Sequence, residues 1–426
     1  MRVLGAILVT AFAADTSLEM ALKTCKEVFG EDATSSKLGE GEQAVVYKCE
    51  NSTLTSALKI YKKPHELIGE PSTRIKVDKA VGEAGHGARV YGSKSSGFPL
   101  NFDECCSFNY CEEGIPETEY VNCADCSKCG ENAFYAKFEE FLNGENVKGE
   151  DLSKIETYEA VARRIAQLHQ MKKEEVNIEI NFCSEAWPWN TKAMRVHLSN
   201  PIFAEGLAHI EKIFSDLPIK GDNLTFAGVQ DIYDFAIQLV ERSNSPIVMS
   251  HNDIHAGNIF LRNGDGAILD RLMLVDFDNA AFGPRAWDLL YYFFNWQSEL
   301  DSLEHVDGFL TKYTEVYNSL NPPRKFTTEE IGQEFVCFQP WYLLERTVFL
   351  HALNPDWGKG FVEVLRAVLT NFADGFSNCK LPEIVKYTEY PSCETKQSDN
   401  TWKYSGSTAT FQISILLVTF LQLLLN

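Results

Sequence analysis

The chain has 426 residues, with 60 Asp and Glu against 39 Lys and Arg and a net charge of −21. Hydrophobic residues at 45% and charged residues at 23% are ordinary for a globular protein with a large core, built as one two-lobed domain or two smaller ones. The acidic balance excludes general electrostatic binding to nucleic acid or to anionic lipid, and mildly favours a cationic ligand.

Met1-Arg2, the apolar run Val3 to Ala14 and then Asp15 read as a signal peptide over residues 1–14. A buried N-terminal helix is the other reading. Leu38-Gly39-Glu40-Gly41-Glu42-Gln43 followed by Ala44-Val45-Val46-Tyr47 predicts strand, glycine turn, strand, with Ala57 to Tyr61 as a third strand. Gly39 and Gly41 would let backbone N–H groups approach a phosphate closely. Six of the twelve cysteines (Cys105, Cys106, Cys111, Cys123, Cys126, Cys129) fall in an insert at about 93–132. In a reducing compartment their spacing would suggest zinc. Behind a signal peptide it predicts a disulfide-stapled loop, and the sequons at Asn51 and Asn223 become usable.

Phe134 to Leu142 resumes as a strand, and Thr157 to Met171 forms an amphipathic helix with Val161, Ile165 and Leu168 on one face. Residues 185–245 read as helix-rich. The centre of the chain is Ile247 to Trp296. An apolar run leads into His251-Asn252-Asp253-Ile254-His255-Ala256-Gly257-Asn258, and Ile259-Phe260-Leu261 follows. After a polar turn at 263–266, Leu272 to Val275 forms a second short strand ending in Asp276-Phe277-Asp278. A hairpin-like return would bring Asp276 back beside Asn258. Asp253, Asn258 and Asp276 at strand ends suit phosphoryl transfer: an acceptor for the attacking hydroxyl's proton, and two hard oxygen ligands for magnesium on the phosphates.

His251-Asn252-Asp253 through Asn258, then Leu274 to Asp278, then Pro284-Arg285-Ala286-Trp287-Asp288 and the closing Trp296, resemble the choline/ethanolamine kinase family. The resemblance covers roughly residues 36 to 378, interrupted by the insert. It implies an α+β, two-lobed protein-kinase-like fold with a small antiparallel-sheet N-lobe (16–142) and a larger helical C-lobe (143–380). It also implies ATP and Mg2+ as cofactors and a small amino-alcohol as substrate. Lys59 then stands where the fold places its phosphate-binding cation, and Glu140-Phe141 where the hinge meets adenine through backbone groups. Asp278, Tyr292, Trp296 and Trp341 fall on the acceptor side, while Arg285 and Asp288 are structural, Asp288 holding the catalytic loop. The ring clusters 287–296 and Phe335, Phe338, Trp341, Tyr342 are either core packing or a cage for an ammonium group. His169, in Leu168-His169-Gln170-Met171, is a packed helix-end residue.

Departures accompany the resemblance. Around Arg74, Ile75 and Lys76 no acid falls where the family pairs its helix carboxylate with the strand cation; Glu70 and Asp78 are the nearest substitutes. Tyr291-Tyr292 stands where the family commonly shows Asn-His, and Asn295 where it has an acid. These keep two alternatives in view: a pseudokinase or binding protein of the same fold, and a kinase of another small hydroxyl compound.

At the C-terminus a polar linker (381–410) precedes the almost wholly apolar residues 411–426, broken by Gln412, Ser414, Thr419 and Gln422. That is shorter than the roughly 20 residues of a comfortable bilayer span, so it reads as a glycolipid-anchor signal, with a tail-inserted helix as the alternative. The expectation is a secretory-pathway protein, at the cell surface or held at a membrane through this tail or a lipid, whose partners are nucleotide and a small amino-alcohol.

Overall fold

The computed structural model describes residues 18–40, 44–61, 71–96, 134–176, 204–221, 224–243, 245–294, 303–353 and 355–374. Residues 1–14, Gly41, residues 97–132 of the insert, Asn223, Trp296, the 381–410 linker and the 411–426 tail lie outside them. The described residues divide into two compact units, 18–96 with 134–143, and 144–374.

The first unit is an antiparallel sheet of β1 (Thr34–Glu40), β2 (Ala44–Glu50), β3 (Thr55–Tyr61), β4 (Val90–Ser96) and β5 (Phe134–Glu140), ordered β1-β2-β3-β5-β4. Strand alternation gives it two faces. Val45, Tyr47, Cys49, Leu58, Ile60, Ala136 and Phe138 share one of them, and a helix over residues 18–29 (α1) covers it with Ala21, Cys25 and Phe29. Those three recur every fourth residue, the spacing of one helical face. A Cys25–Cys49 disulfide ties α1 to β2. The opposite face carries Lys59 and Lys137, which are directly opposite each other across β3 and β5. Helix α2 (Pro71–Glu83) brings Val77, Asp78 and Val81, all buried.

The second unit is mostly helical, with short antiparallel ladders. β7 (Ile219–Lys220) pairs with β8 (Thr225–Phe226), β9 (Ile247–Ser250) with β12 (Ala281–Pro284), and β10 (Ile259–Arg262) with both β11 (Leu272–Leu274) and β6 (Gly144–Asn146). Helix Ile155–Leu168 buries Val161, Ile165 and Leu168 as the periodicity requires. The long helix Thr328–Leu353 runs through the core, and an aromatic seam joins it to helices Arg285–Phe293 and Leu303–Ser319 through Phe293, Phe309 and Phe335. Among the described residues, no helix is long and apolar enough to cross a membrane.

Candidate active site

The β10–β11 hairpin forms as the sequence suggests. Ile259 faces Leu274, and one step outward the Val275 N–H donates to the Asn258 carbonyl (2.9 Å). Asp276 is therefore delivered immediately beside Asn258. It is exposed and adopts a left-handed backbone (φ 66°), a conformation tolerated by Asp and Asn and concentrated at functional sites. Asn252 shares that conformation (φ 65°). Such dihedrals persist only where surrounding contacts determine them, and here those contacts are explicit.

For Asn252 the Asp288 carboxylate supplies them. Its Oδ2 accepts from the His251 N–H and its Oδ1 from the Asn252 N–H, both at 2.7 Å. The His169 Nε2 lies 3.2 Å from Asp288 Oδ2, and its Nδ1 lies 2.7 Å from the Tyr313 hydroxyl. Burial lowers the His169 pKa, against the opposing pull of Asp288. A neutral ring donating to Asp288 and accepting from Tyr313 satisfies both contacts. His169 is thus more than a packed helix end: it braces the acid that braces the loop. Arg285 is buried in the neighbouring turn, where its Nε donates to Glu334 (2.8 Å).

Within the loop, the Asn258 Nδ2 donates to both the Asp253 carbonyl (2.9 Å) and its Oδ2 (3.1 Å). With the amide nitrogen directed at Asp253, the Asn258 Oδ1 is turned to the opposite side, as a hard oxygen donor. The nearby Asp276 carboxylate completes a donor set suited to magnesium, which takes one or two protein oxygens and fills its remaining positions with water and phosphate. No group of three or more His, Cys, Asp or Glu side chains placed to hold a metal ion occurs among the described residues, and this kind of site needs none.

Asp253 has two further partners. The Asn279 Nδ2 donates to Oδ2 (3.3 Å) and the Tyr291 hydroxyl to Oδ1 (2.7 Å). Neither residue was singled out for this position from the sequence. The signals existed: Asn279 stands three residues beyond Asp276, and Tyr291 one helical turn beyond Asp288.

The remaining expected residues are distributed as follows. Asp278 is buried in the turn after Asp276. Tyr292 is fully buried and stacked on Phe309 (4.8 Å), and its hydroxyl donates to the Leu152 carbonyl (3.2 Å). Trp341 is equally buried, tilted against Tyr233 (5.8 Å). Both rings thus sit within the packed core of their unit.

In the first unit Gly39 lies on β1, where a register shift separates it from Lys37. Lys59 is buried, its Nζ 5.3 Å from the Tyr61 ring centre. The Glu140 N–H donates to the Arg89 carbonyl (2.7 Å) and so is used within the sheet. Phe141 lies under the Lys48 ammonium (5.3 Å).

The absence of an acid at 74–76 is met by one of the two substitutes. A helix carboxylate is present: Asp78 on α2 is buried and lies 2.9 Å from Lys137 Nζ, with Glu139 also 2.7 Å from that ammonium. The family's spacing pointed to Arg74–Lys76 and to Lys59 as partner. The acid stands at 78, and it pairs with Lys137, the lysine across the ladder from Lys59. Two buried lysines side by side repel unless acids stand among them. Asp78 and Glu139 supply two negative charges against the two positive ones.

Residues 134–333 match the choline/ethanolamine kinase family model. The chain is 24% identical to mouse choline kinase alpha, over 46% of this chain and 44% of that protein. It is 28% identical to human choline/ethanolamine kinase, over 38% and 36%. The matches therefore span less than half the length of either relative. Among solved structures, Plasmodium vivax ethanolamine kinase aligns over 82% of this chain and 86% of its own, with TM-score 0.50 and 16% identity. Choline kinase from Cryptosporidium parvum aligns over 83% and 96%, with TM-score 0.50 and 11% identity. These structural likenesses show the fold: protein-kinase-like, with an antiparallel-sheet unit and a helical unit.

Proposed function

We propose, since residues 134–333 match the choline/ethanolamine kinase family model, that this chain transfers the γ-phosphoryl group of ATP to the hydroxyl of a small amino-alcohol of the choline or ethanolamine class. The observation that carries the proposal is the Asp253–Asn258 hydrogen-bonded pair, with Asp276 delivered beside it by the Val275–Asn258 bond.

In this reading the Asp253 carboxylate orients the acceptor hydroxyl and takes its proton as the oxygen attacks the γ-phosphorus and ADP departs. Magnesium, held by Asn258 Oδ1 and the Asp276 carboxylate, would neutralise phosphate charge. The family resemblance, and not the placement of the units, is what assigns Lys59 to the phosphates and the backbone after Glu140 to adenine. Asp278, Trp296 and the ring-rich helices form the acceptor side. The cationic substrate class accords with the net charge of −21 and with the family. A secretory-pathway location is supported by the Cys25–Cys49 disulfide and by Cys337, which is also disulfide-bonded, since such bonds persist in oxidising compartments. Attachment to a membrane through the C-terminal tail is part of the same proposal.

The test is direct. Protein purified from a secretory host is incubated with ATP, magnesium and a panel of amino-alcohols, sugars and aminoglycosides, and ADP release is followed. Turnover is expected with an amino-alcohol, and Asp253→Asn should reduce it roughly 10²- to 10⁴-fold, the usual contribution of a positioned general base. Nucleotide binding without turnover on any member of the panel would replace the enzyme by a binding protein of the same fold.

A further inference from the structure

Helix Arg285–Phe293 presents Asp288 and Tyr291 three residues apart, on one face. Asp288 takes the backbone N–H groups of His251 and Asn252, and Tyr291 gives its hydroxyl to the side chain of the next residue, Asp253. One turn of one helix thus grips three consecutive residues of the loop, two through the backbone and the third through its carboxylate.

We propose that Tyr291 is a positioning residue for phosphoryl transfer, fixing the rotation of the Asp253 carboxylate through its 2.7 Å hydrogen bond to Oδ1. The inference rests on the reading of Asp253 as base. A carboxylate on a single Cα–Cβ stem turns readily unless both oxygens are held. Asn258 and Asn279 hold Oδ2, and Tyr291 holds Oδ1.

The phenol is itself fixed. Its ring is buried, meets Tyr342 edge-on (6.1 Å, 77°) and lies beneath the Arg346 guanidinium (5.4 Å). Arg346 is anchored in turn on Glu345, with Nη2 2.7 Å from Oε1. The position of the base is thereby referred to the long core helix Thr328–Leu353. This device departs from the family pattern, which commonly has Asn at this place, so it cannot be carried over from the resemblance.

The test uses the full chain and Tyr291→Phe, which keeps the ring and its packing while removing only the donor. A hydrogen bond to a charged group of this kind predicts a fall in kcat of roughly ten- to a hundredfold. KM for ATP should be unchanged. In an Asp253→Asn background the same change should have no further effect on kcat, because the group being positioned is gone. A merely structural tyrosine would lower stability with kcat unchanged, or raise KM while leaving the cycle additive, and either result overturns the proposal. So does a kcat within twofold of the parent. Turnover retained in Asp253→Asn would overturn the base and the tyrosine together, whereas an inactive Asp253→Asn beside a fully active Tyr291→Phe overturns the tyrosine alone.

Discussion

The two units fix their charged groups in different ways. Around Asp253 the work is done by hydrogen bonds: backbone N–H groups on Asp288, amides on Asp253 and a neutral imidazole behind. Around Lys59 and Lys137 it is done by full charges, with Asp78 and Glu139 set against two ammoniums on adjacent strands. The first arrangement tolerates loss in small steps, because each donor is one of several. The second does not, because removing one acid leaves a cation in the interior with less compensation than its burial demands. The difference predicts an order of sensitivities.

The largest effect should come from Asp78→Ala. Lys137 is 1% exposed and Asp78 5% exposed. Breaking a buried pair by deleting one partner typically costs about 3–5 kcal/mol. Urea unfolding of the full chain, followed by a probe in the sheet, should show that loss. The double replacement Asp78→Leu with Lys137→Met should recover most of it, since an apolar pair of similar volume removes the charge instead of stranding it. A single-variant loss below about 1 kcal/mol would show that the pair is not electrostatically buried, and the contrast between the units would fail.

Asp288→Asn probes the other side. The amide keeps one acceptor oxygen but turns N–H donors toward one of the two backbone N–H groups. One charge-assisted hydrogen bond to the loop is lost, about 1.5–3 kcal/mol. Stability should therefore fall by less than for Asp78→Ala. Turnover should fall with it, because Asn252 no longer has its left-handed backbone enforced and Asp253 follows next in the chain. Unfolding midpoints and kcat measured on the same preparations would check both. A kcat at the parent's value would mean that the loop holds itself through Asn258 and Asn279 without help from the helix.

The same contrast explains what could be read before the structure was known. Asp253, Asn258 and Asp276 lie within 24 residues of one another, with Asn258 just before and Asp276 just after a pair of short strands, so sequence distance and the hairpin rule sufficed to bring them together. Asp288 and Tyr291 need only helical periodicity. The lysine cluster needs contacts spanning 59 residues, Asp78 to Lys137, across the cysteine insert. In Phe134-Tyr135-Ala136-Lys137-Phe138 nothing local says that a lysine in mid-strand is turned onto a face covered by an acid-bearing helix. The Cys25–Cys49 bond was hidden for the same reason: neither cysteine belongs to a spaced motif, and only the packing of α1 on β2 brings them together. Tyr292 and Trp341 show the opposite limit. Aromatic identity predicts burial well, and says little about whether the ring meets a ligand or its neighbours.

The smallest effect, and the finest test of the hydrogen-bonded unit, concerns pH. Burial holds the His169 pKa below its ordinary value of 6.5, even though Asp288 pulls the other way. The sign follows from proton counting. Below that ordinary value the unfolded chain binds a proton at this histidine that the folded chain refuses until a lower pH. Folding stability contributed by the neutral ring is therefore present above about pH 6.5 and is lost as pH falls through and below it, by at most about 1.4 kcal/mol per pH unit for one proton. Other groups titrate in the same range, so the useful quantity is a difference between the parent and His169→Gln at each pH. Glutamine can reach Asp288 with an amide donor but does not titrate. The parent's advantage should be greatest near pH 7.5 and shrink steadily toward pH 5.5. If the two profiles run parallel, the histidine takes up its proton as readily folded as unfolded. Asp288 would then be braced by an imidazolium below about pH 6.5, and at those pH values the second unit would rely on buried charge as the first does.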